Sequence, residues 1–160
     1  MFKIGDYITH PMHGAGVIES IVTKKINGSQ RDYYVLKLPV GDMVVMVPVS
    51  GCEDIGVRSI ISRSEAEKLF SVFSEIEISM TQNWNKRYRE NMDKIKSGNL
   101  LDVASVVKGL MCRDSERGLS TSERKMLHSA KQILISELVI ATDMDYDGVE
   151  KRLCAALKEG

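Results

Sequence analysis

Hydrophobic and polar residues alternate along the first third of the chain and then recur with the helical period of 3.6. In the first part, Tyr34, Leu36 and Leu38 are spaced two apart, as in a strand with one buried face. Asn27-Gly28 supplies the two positive φ angles of a tight hairpin turn. Several short strands with no helix between them predict a small SH3- or Tudor-like β-barrel over residues 1–60.

Beyond the strands, apolar residues follow helical spacing and the helix starts carry capping signals. The Ser-x-x-Glu pattern of a capping box occurs at Ser64–Glu67, where it opens a first helix, and at Ser120–Glu123, where it opens the longest helix. Residues 113–118 are mostly charged and end in glycine, which predicts a loop. The sequence therefore predicts an α+β protein of two domains, a barrel over residues 1–60 and an all-α domain over residues 61–160.

The only tryptophan of the chain, Trp84, follows a good helix-capping residue, Asn83, and precedes a run of cations. The cations in this helix are Lys86, Arg87, Arg89, Lys94 and Lys96. At 100° per residue, Trp84 shares one helical stripe with Tyr88. A tryptophan on such a stripe is commonly part of a core. An aromatic at a helix tip bordered by positive charge also suits contact with nucleic acid at a distorted step.

Positive charge is concentrated in one block of the chain. The whole sequence has 22 basic and 22 acidic side chains, whereas residues 84–131 have 11 basic and 6 acidic ones, an excess of five positive charges. This block includes Arg124, Lys125 and Lys131 on the polar face of the longest helix. A local field of this sign favours phosphate groups, although a solvated helix surface has a similar composition.

No constellation for catalysis or metal binding is evident in the sequence. His10 and His13 are three apart but have no neighbouring carboxylate or thiolate to complete a metal site. Cys52, Cys112 and Cys154 are odd in number and widely spaced, which is typical of free thiols in a reducing compartment. No signal peptide and no run of 18 apolar residues is present. We therefore expect a cytoplasmic protein with no enzymatic activity, no cofactor, no metal and no membrane association.

Three stretches of the chain carry a resemblance to a known family. They are Phe2-Lys3-Ile4-Gly5-Asp6-Tyr7-Ile8-Thr9-His10-Pro11-Met12-His13-Gly14-Ala15-Gly16, Trp84-Asn85-Lys86-Arg87-Tyr88-Arg89-Glu90-Asn91, and Arg113-Asp114-Ser115-Glu116-Arg117-Gly118-Leu119-Ser120 with the residues that follow it. Together they resemble the CarD/CdnL family of bacterial transcription regulators. The likeness extends in order, and without large gaps, over residues 2–141.

The resemblance implies a Tudor-like N-terminal domain that binds the β subunit of RNA polymerase. It also implies a helical domain that contacts promoter DNA at the upstream edge of the melted bubble, with the family's wedge tryptophan at Trp84. One basic polymerase-contacting position of the family corresponds to Lys24. A second corresponds to Met46, where this sequence departs from the family. On an edge strand, Val44 and Met46 would supply apolar contact beside main-chain pairing with a partner strand.

We therefore predict a monomeric regulator that binds polymerase through Lys24, Val44 and Met46 and stabilises the promoter open complex by sequence-independent DNA contact. The predicted DNA-contacting residues are Trp84, Lys86, Arg87, Arg89, Arg124, Lys125 and Lys131. Two other classes remain open. One is a stand-alone RNA- or peptide-binding barrel whose helical part is only a scaffold, and the other is an enzyme that uses Cys52 or a histidine.

Overall fold

The computed structural model describes residues 1–159, which form five antiparallel strands followed by five helices. The strands are β1 (Tyr7–His10), β2 (Gly14–Ile26), β3 (Ser29–Leu38), β4 (Met43–Pro48) and β5 (Arg58–Ser59). The helices are α1 (Arg63–Phe73), α2 (Trp84–Lys96), α3 (Leu100–Arg117), α4 (Thr121–Thr142) and α5 (Tyr146–Glu159). The predicted α+β class, with a Tudor-like β part before a helical part, is confirmed.

The strands form one sheet in the order β4-β3-β2-β1-β5, so β4 and β5 are its edges. The β2–β3 hairpin turns at Asn27 and Gly28, whose φ angles of 51° and 82° are those of the predicted tight turn. The buried core of this part comprises Ile8, Ile18, Tyr34, Leu36, Leu38, Val47, Cys52 and Val57. A core of this size is small, and packing against the helices adds to its stability.

Two helix boundaries differ from the predictions. The capping box of α1 is formed by Ser62 and Glu65 rather than by Ser64–Glu67, because two Ser-x-x-Glu patterns overlap with an offset of two residues. Residues 113–117 are the last turn of α3 and not a loop, and Gly118 caps that helix at a φ of 77°. Charged side chains such as Arg and Glu are good helix formers, so a charged stretch alone did not indicate a loop.

The helices bury a second, larger core and also pack directly on the sheet. Arg58 of β5 donates to both carboxylate oxygens of Glu137 in α4, at 2.8 and 3.0 Å. Glu137 is fully buried and also accepts a hydrogen bond from the backbone N–H of Ile61 at 2.8 Å. One residue earlier, the Ser136 hydroxyl accepts from the backbone N–H of Ala15 at 2.8 Å. Removing the partner of a fully buried carboxylate is costly, so these contacts hold the two parts in one orientation.

Candidate nucleic-acid and sheet-edge interfaces

Trp84 lies at the rim of the helical part, at the first position of α2. Asn83 caps this helix by accepting a hydrogen bond from the backbone N–H of Lys86 at 3.0 Å. The indole stacks on Tyr88, one turn later, with ring centroids 5.3 Å apart and planes inclined by 20°. Its Nε1–H donates to the Ser120 hydroxyl at the start of α4, at 3.3 Å. Because 41% of the Trp84 surface is exposed, the ring lies outside the helical core.

The buried face of α2 is centred on Arg87, Asn91 and Ile95. The sequence pattern had placed that face on the stripe through Trp84 and Tyr88, because a helical wheel treats an arginine as a solvent-exposed residue. The observed face is rotated towards Arg87. This rotation leaves Trp84 and Tyr88 at the border between core and solvent.

Arg87 is not available to DNA, so the prediction that it contacts a phosphate is wrong. Its Nε and Nη2 donate to the two carboxylate oxygens of Glu123, at 2.8 and 3.1 Å, and its Nη1 donates to the carbonyls of Thr81 and Gln82. Only 2% of the Arg87 surface is exposed. The hydrogen bonds from Arg87 hold the pKa of the Glu123 carboxyl below its usual range, against the opposing effect of burial. The same bonds raise the pKa of Arg87.

Two predicted DNA contacts in α4 also have partners within the protein. Lys131 Nζ lies 2.7 Å from Glu150 Oε2 of α5 in a partly buried pair. It is about 15 Å along the helix from the start of α4, so its assignment as a DNA contact is not supported. Arg124 is 3.7 Å from Asp114 but largely exposed. An exposed pair of this length is weak, and Arg124 remains accessible to a phosphate.

The other predicted cations lie near the starts of α2 and α4, the corner that contains Trp84. Lys86 and Arg89 in α2 and Lys125 in α4 are exposed. Sequence reasoning missed Arg117, whose Nη1 donates to Gln82 Oε1 at 3.4 Å, two residues before the tryptophan. Arg117 belongs to the third stretch that resembles the CarD/CdnL family. The loop predicted over residues 113–118 gave no reason to place it near Trp84.

The starts of α2 and α4 lie side by side in this corner, because the Trp84 indole is hydrogen-bonded to Ser120. The first turn of a helix carries free backbone N–H groups and the positive end of the helix dipole. Two helix starts and several exposed cations therefore give the corner an electrostatic preference for anions. We refer to Trp84, Tyr88 and Ser120, with the exposed cations Lys86, Arg89, Arg117, Arg124 and Lys125, as the tryptophan corner.

A second candidate surface lies on the sheet, where Lys24, Val44 and Met46 share one face. Their cross-strand partners on β3 are Arg31 for Lys24, Lys37 for Val44 and Val35 for Met46. These partners alternate with the buried Tyr34 and Leu36, so all of them point away from the barrel core. Val44 and Met46 are 59% and 38% exposed. Since β4 is an edge of the sheet, this surface combines a strand edge with exposed apolar side chains and nearby basic ones.

The remaining candidates from the sequence are His10, His13 and Cys52. The rings of His10 and His13 lie 4.6 Å apart, and burial together with the nearby His13 lowers the pKa of His10. Cys52 is part of the barrel core, and burial raises the pKa of its thiol. Among residues 1–159, no group of three or more His, Cys, Asp or Glu side chains is arranged to hold a metal ion. Within the same residues, no helix is long and apolar enough to cross a membrane.

Comparison with known proteins places both parts of the chain in one family. The CarD-like/TRCF RID domain matches residues 2–61, and the CarD C-terminal domain matches residues 68–154. The Bacillus subtilis (strain 168) protein named "Putative transcription factor YdeB" is 39% identical over 140 residues, which cover 88% of this chain and 92% of that protein. The chain therefore belongs to the CarD-like family of transcription factors.

Proposed function

We propose that this transcription regulator binds the β subunit of RNA polymerase through the outer face and edge of its sheet. We further propose that it stabilises the promoter open complex by placing Trp84 at the upstream edge of the melted bubble. Both activities would take place in the cytoplasm. The observation that carries this proposal is the position of Trp84, exposed where two helix starts meet, with exposed cations within the first two turns of both helices. Membership of the CarD-like family supports it.

The wedge acts by differential binding. An indole that fills the gap at a partly unstacked base step contacts open DNA and finds no such gap in an intact duplex. By linkage, the open state gains about 1.4 kcal/mol for every tenfold preference of the protein for it. Tyr88, stacked behind Trp84, supports the ring as it presses against a base.

The cations of the tryptophan corner supply contact with phosphates rather than base recognition. Such contact is weak on its own, is indifferent to sequence and falls with rising salt. Attachment to polymerase raises the effective concentration of promoter DNA near the corner, so weak contact is sufficient.

The sheet surface supplies the attachment. An edge strand such as β4 can pair with an edge strand of a partner through main-chain hydrogen bonds, and the exposed Val44 and Met46 add apolar contact. Met46 stands where the family resemblance implies a basic residue. The basic part of this contact then falls to Lys24 and its cross-strand neighbour Arg31.

Two measurements test the proposal with the full chain. Added protein should lengthen the half-life of promoter open complexes, and it should bind a fragment of the polymerase β subunit. Lys24→Glu should weaken β binding by about tenfold, because it reverses a charge at the interface. The matched control is Lys68→Glu, the same reversal at an exposed position of α1. Equal binding by wild type and Lys24→Glu, with both folded, would remove the proposed contact.

The same measurements separate the other classes. A stand-alone RNA- or peptide-binding barrel would show no affinity for the β fragment. An enzyme that uses Cys52 would lose its function in a Cys52→Ala variant. We propose no such reaction, because a buried thiol with a raised pKa is a poor nucleophile.

A further inference from the structure

We infer that the buried pair of Arg87 and Glu123, acting through Ser120, is a positioning device that holds the Trp84 ring in the orientation that DNA requires. This inference rests on the proposed function of Trp84. It gives a role to the one cation of the Trp84 motif that cannot reach a phosphate.

A short chain of hydrogen bonds links the indole to the buried ion pair. The Ser120 hydroxyl accepts from Trp84 Nε1–H at 3.3 Å and from the backbone N–H of Glu123 at 3.2 Å, and it donates to Glu123 Oε1 at 3.4 Å. A hydroxyl has one proton to donate and two lone pairs to accept with. All three are used here. Because the Ser120 hydroxyl directs its hydrogen towards the Glu123 carboxylate, one of its lone pairs faces the indole N–H.

The ion pair of Arg87 and Glu123 holds the Ser120 hydroxyl in this arrangement through contacts at the starts of both α2 and α4. In a capping box the glutamate side chain would accept from the backbone N–H of the capping serine. The Glu123 carboxylate instead receives Arg87 at both oxygens, at 2.8 and 3.1 Å. Arg87 also donates to the carbonyls of Thr81 and Gln82, just before the start of α2. One guanidinium therefore joins the two helix starts between which Trp84 lies.

The ring is held on a second side by Tyr88. The two rings stack at a centroid distance of 5.3 Å, so the indole has an aromatic support on one face and a hydrogen bond at its nitrogen. A ring that is already ordered loses less conformational freedom when it inserts into DNA. Loss of the positioning contacts should therefore shorten the open-complex half-life without removing the aromatic ring.

The sharpest variant is Ser120→Ala, which deletes the acceptor of the indole N–H and leaves the ion pair in place. Since Ser120 also caps α4, the matched control is Ser62→Ala, which removes the equivalent serine cap of α1, also followed by a glutamate three residues later. Ser120→Thr keeps a hydroxyl and serves as the conservative rescue. Circular dichroism melting of each variant measures the contribution of capping alone.

Trp84 is the only tryptophan, so its fluorescence anisotropy decay reports the motion of this ring in the free protein. We expect a larger fast component for Ser120→Ala, and decays close to wild type for Ser120→Thr and Ser62→Ala. With polymerase and promoter, Ser120→Ala should shorten the open-complex half-life about two- to tenfold, the range expected for releasing one ordered side chain. Ser62→Ala should keep the wild-type half-life.

The outcomes distinguish this inference from the proposed function. A wild-type anisotropy decay for Ser120→Ala overturns the positioning role. So does a mobile indole with an unchanged half-life, provided that Trp84→Ala shortens the half-life in the same assay. If Trp84→Ala itself has no effect on the half-life, the proposed wedge fails, and with it the need to position the ring for DNA.

Discussion

At the scale of single residues, Trp84 is exposed enough for its loss to affect function more than folding. Trp84→Ala should cost about 1 kcal/mol or less of unfolding free energy, because the ring lies at the rim and leaves no closed cavity. A tryptophan in the core would cost about 3–5 kcal/mol. The open-complex half-life should fall clearly, and Trp84→Phe should be intermediate because it keeps a flat apolar face but has no indole N–H.

Unfolding followed by circular dichroism and the open-complex half-life should be measured on the same samples. Tyr88→Leu is a useful companion, because it keeps an apolar side chain and removes the stacking partner of the indole. A loss of more than about 3 kcal/mol of unfolding free energy in Trp84→Ala would mean that Trp84 is a core residue. A normal melt together with an unchanged half-life would contradict the wedge.

The buried Glu123 carboxylate gives the protein a predictable response to acid. Its pKa in the folded protein is lowered, chiefly by the hydrogen bonds from Arg87, so the unfolded chain binds a proton at a higher pH than the folded one. The stability that it contributes is therefore complete above the ordinary glutamate pKa of about 4.3, and is lost as the pH falls through the folded value. Urea unfolding between pH 7 and pH 3 should show this loss.

Glu123→Gln should remove that part of the pH dependence. At pH 7 it should cost about 3–5 kcal/mol, because Arg87 is left buried without a countercharge. The double variant Arg87→Met, Glu123→Leu should recover much of this stability, since it removes both charges together. A pH profile of Glu123→Gln parallel to that of the wild type would mean that other carboxylates govern the acid response.

Trp84 and Arg87, three residues apart in α2, differ in how far the sequence could predict their surroundings. The position of Trp84 behind an asparagine cap was predictable from local chemistry, and its role in the family followed from the resemblance. The burial of Arg87 was not predictable. Its partner Glu123 is 36 residues away in sequence, and a helical wheel of α2 cannot show a countercharge on another helix.

At the scale of elements, the tryptophan corner is built where α2, α3 and α4 end or begin. Removing Lys86, Arg89 or Lys125 should each lower the salt slope of DNA binding by about one unit, if that side chain neutralises one phosphate. Lys131→Ala is the matched control in α4, since that lysine is paired with Glu150 and should leave the slope unchanged. The measurement is fluorescence anisotropy of labelled DNA with the full chain over a range of salt concentrations.

A slope that falls equally for Lys86→Ala and Lys131→Ala would show that diffuse charge, and not the corner, governs DNA binding. Strong preference for one DNA sequence with a flat salt dependence would point to direct base readout. Either result would contradict the assignment of the exposed cations to phosphates.

Element boundaries were predictable where a single capping side chain marks them, but not at α1, where two overlapping Ser-x-x-Glu patterns displaced the predicted start by two residues. Asn83 and Ser120 cap α2 and α4 as expected, and the hairpin turns at Asn27 and Gly28. The end of α3 was missed, because its last turn is charged on the solvent side and carries no apolar periodicity. That extra turn places Arg117 in contact with Gln82, two residues before Trp84, so an error of one helical turn hid a candidate contact.

At the scale of the whole molecule, the two candidate interfaces are useful together only if the sheet and the helices keep a fixed orientation. The contacts that fix it join residues far apart in sequence: Arg58 is 79 residues from Glu137, and Ala15 is 121 residues from Ser136. No local pattern relates such positions. The resemblance predicted the two parts but gave no residues for the junction between them.

The junction can be tested by removing its charge pair. Arg58→Met should cost about 3–5 kcal/mol, because Glu137 remains fully buried with no cation beside it. Replacing both residues, in Arg58→Met, Glu137→Leu, should restore much of the stability but not the directed hydrogen bonds to Gly98 and Ile61. Arg152→Met is the matched control, since its ion pair with Glu67 is exposed and lies within the helical part.

We expect the double variant to bind the polymerase β fragment like the wild type, because Arg58 and Glu137 lie outside the proposed sheet surface. It should nevertheless lengthen the open-complex half-life less than the wild type does. A loosely held helical part samples more orientations, which lowers the effective concentration of Trp84 at the bubble edge. Arg152→Met should act like the wild type in both assays. A double variant that is folded, binds β and retains the full half-life would show that the Arg58–Glu137 pair serves stability alone, and that the orientation of the tryptophan corner is set by the remaining contacts of α4 with β2.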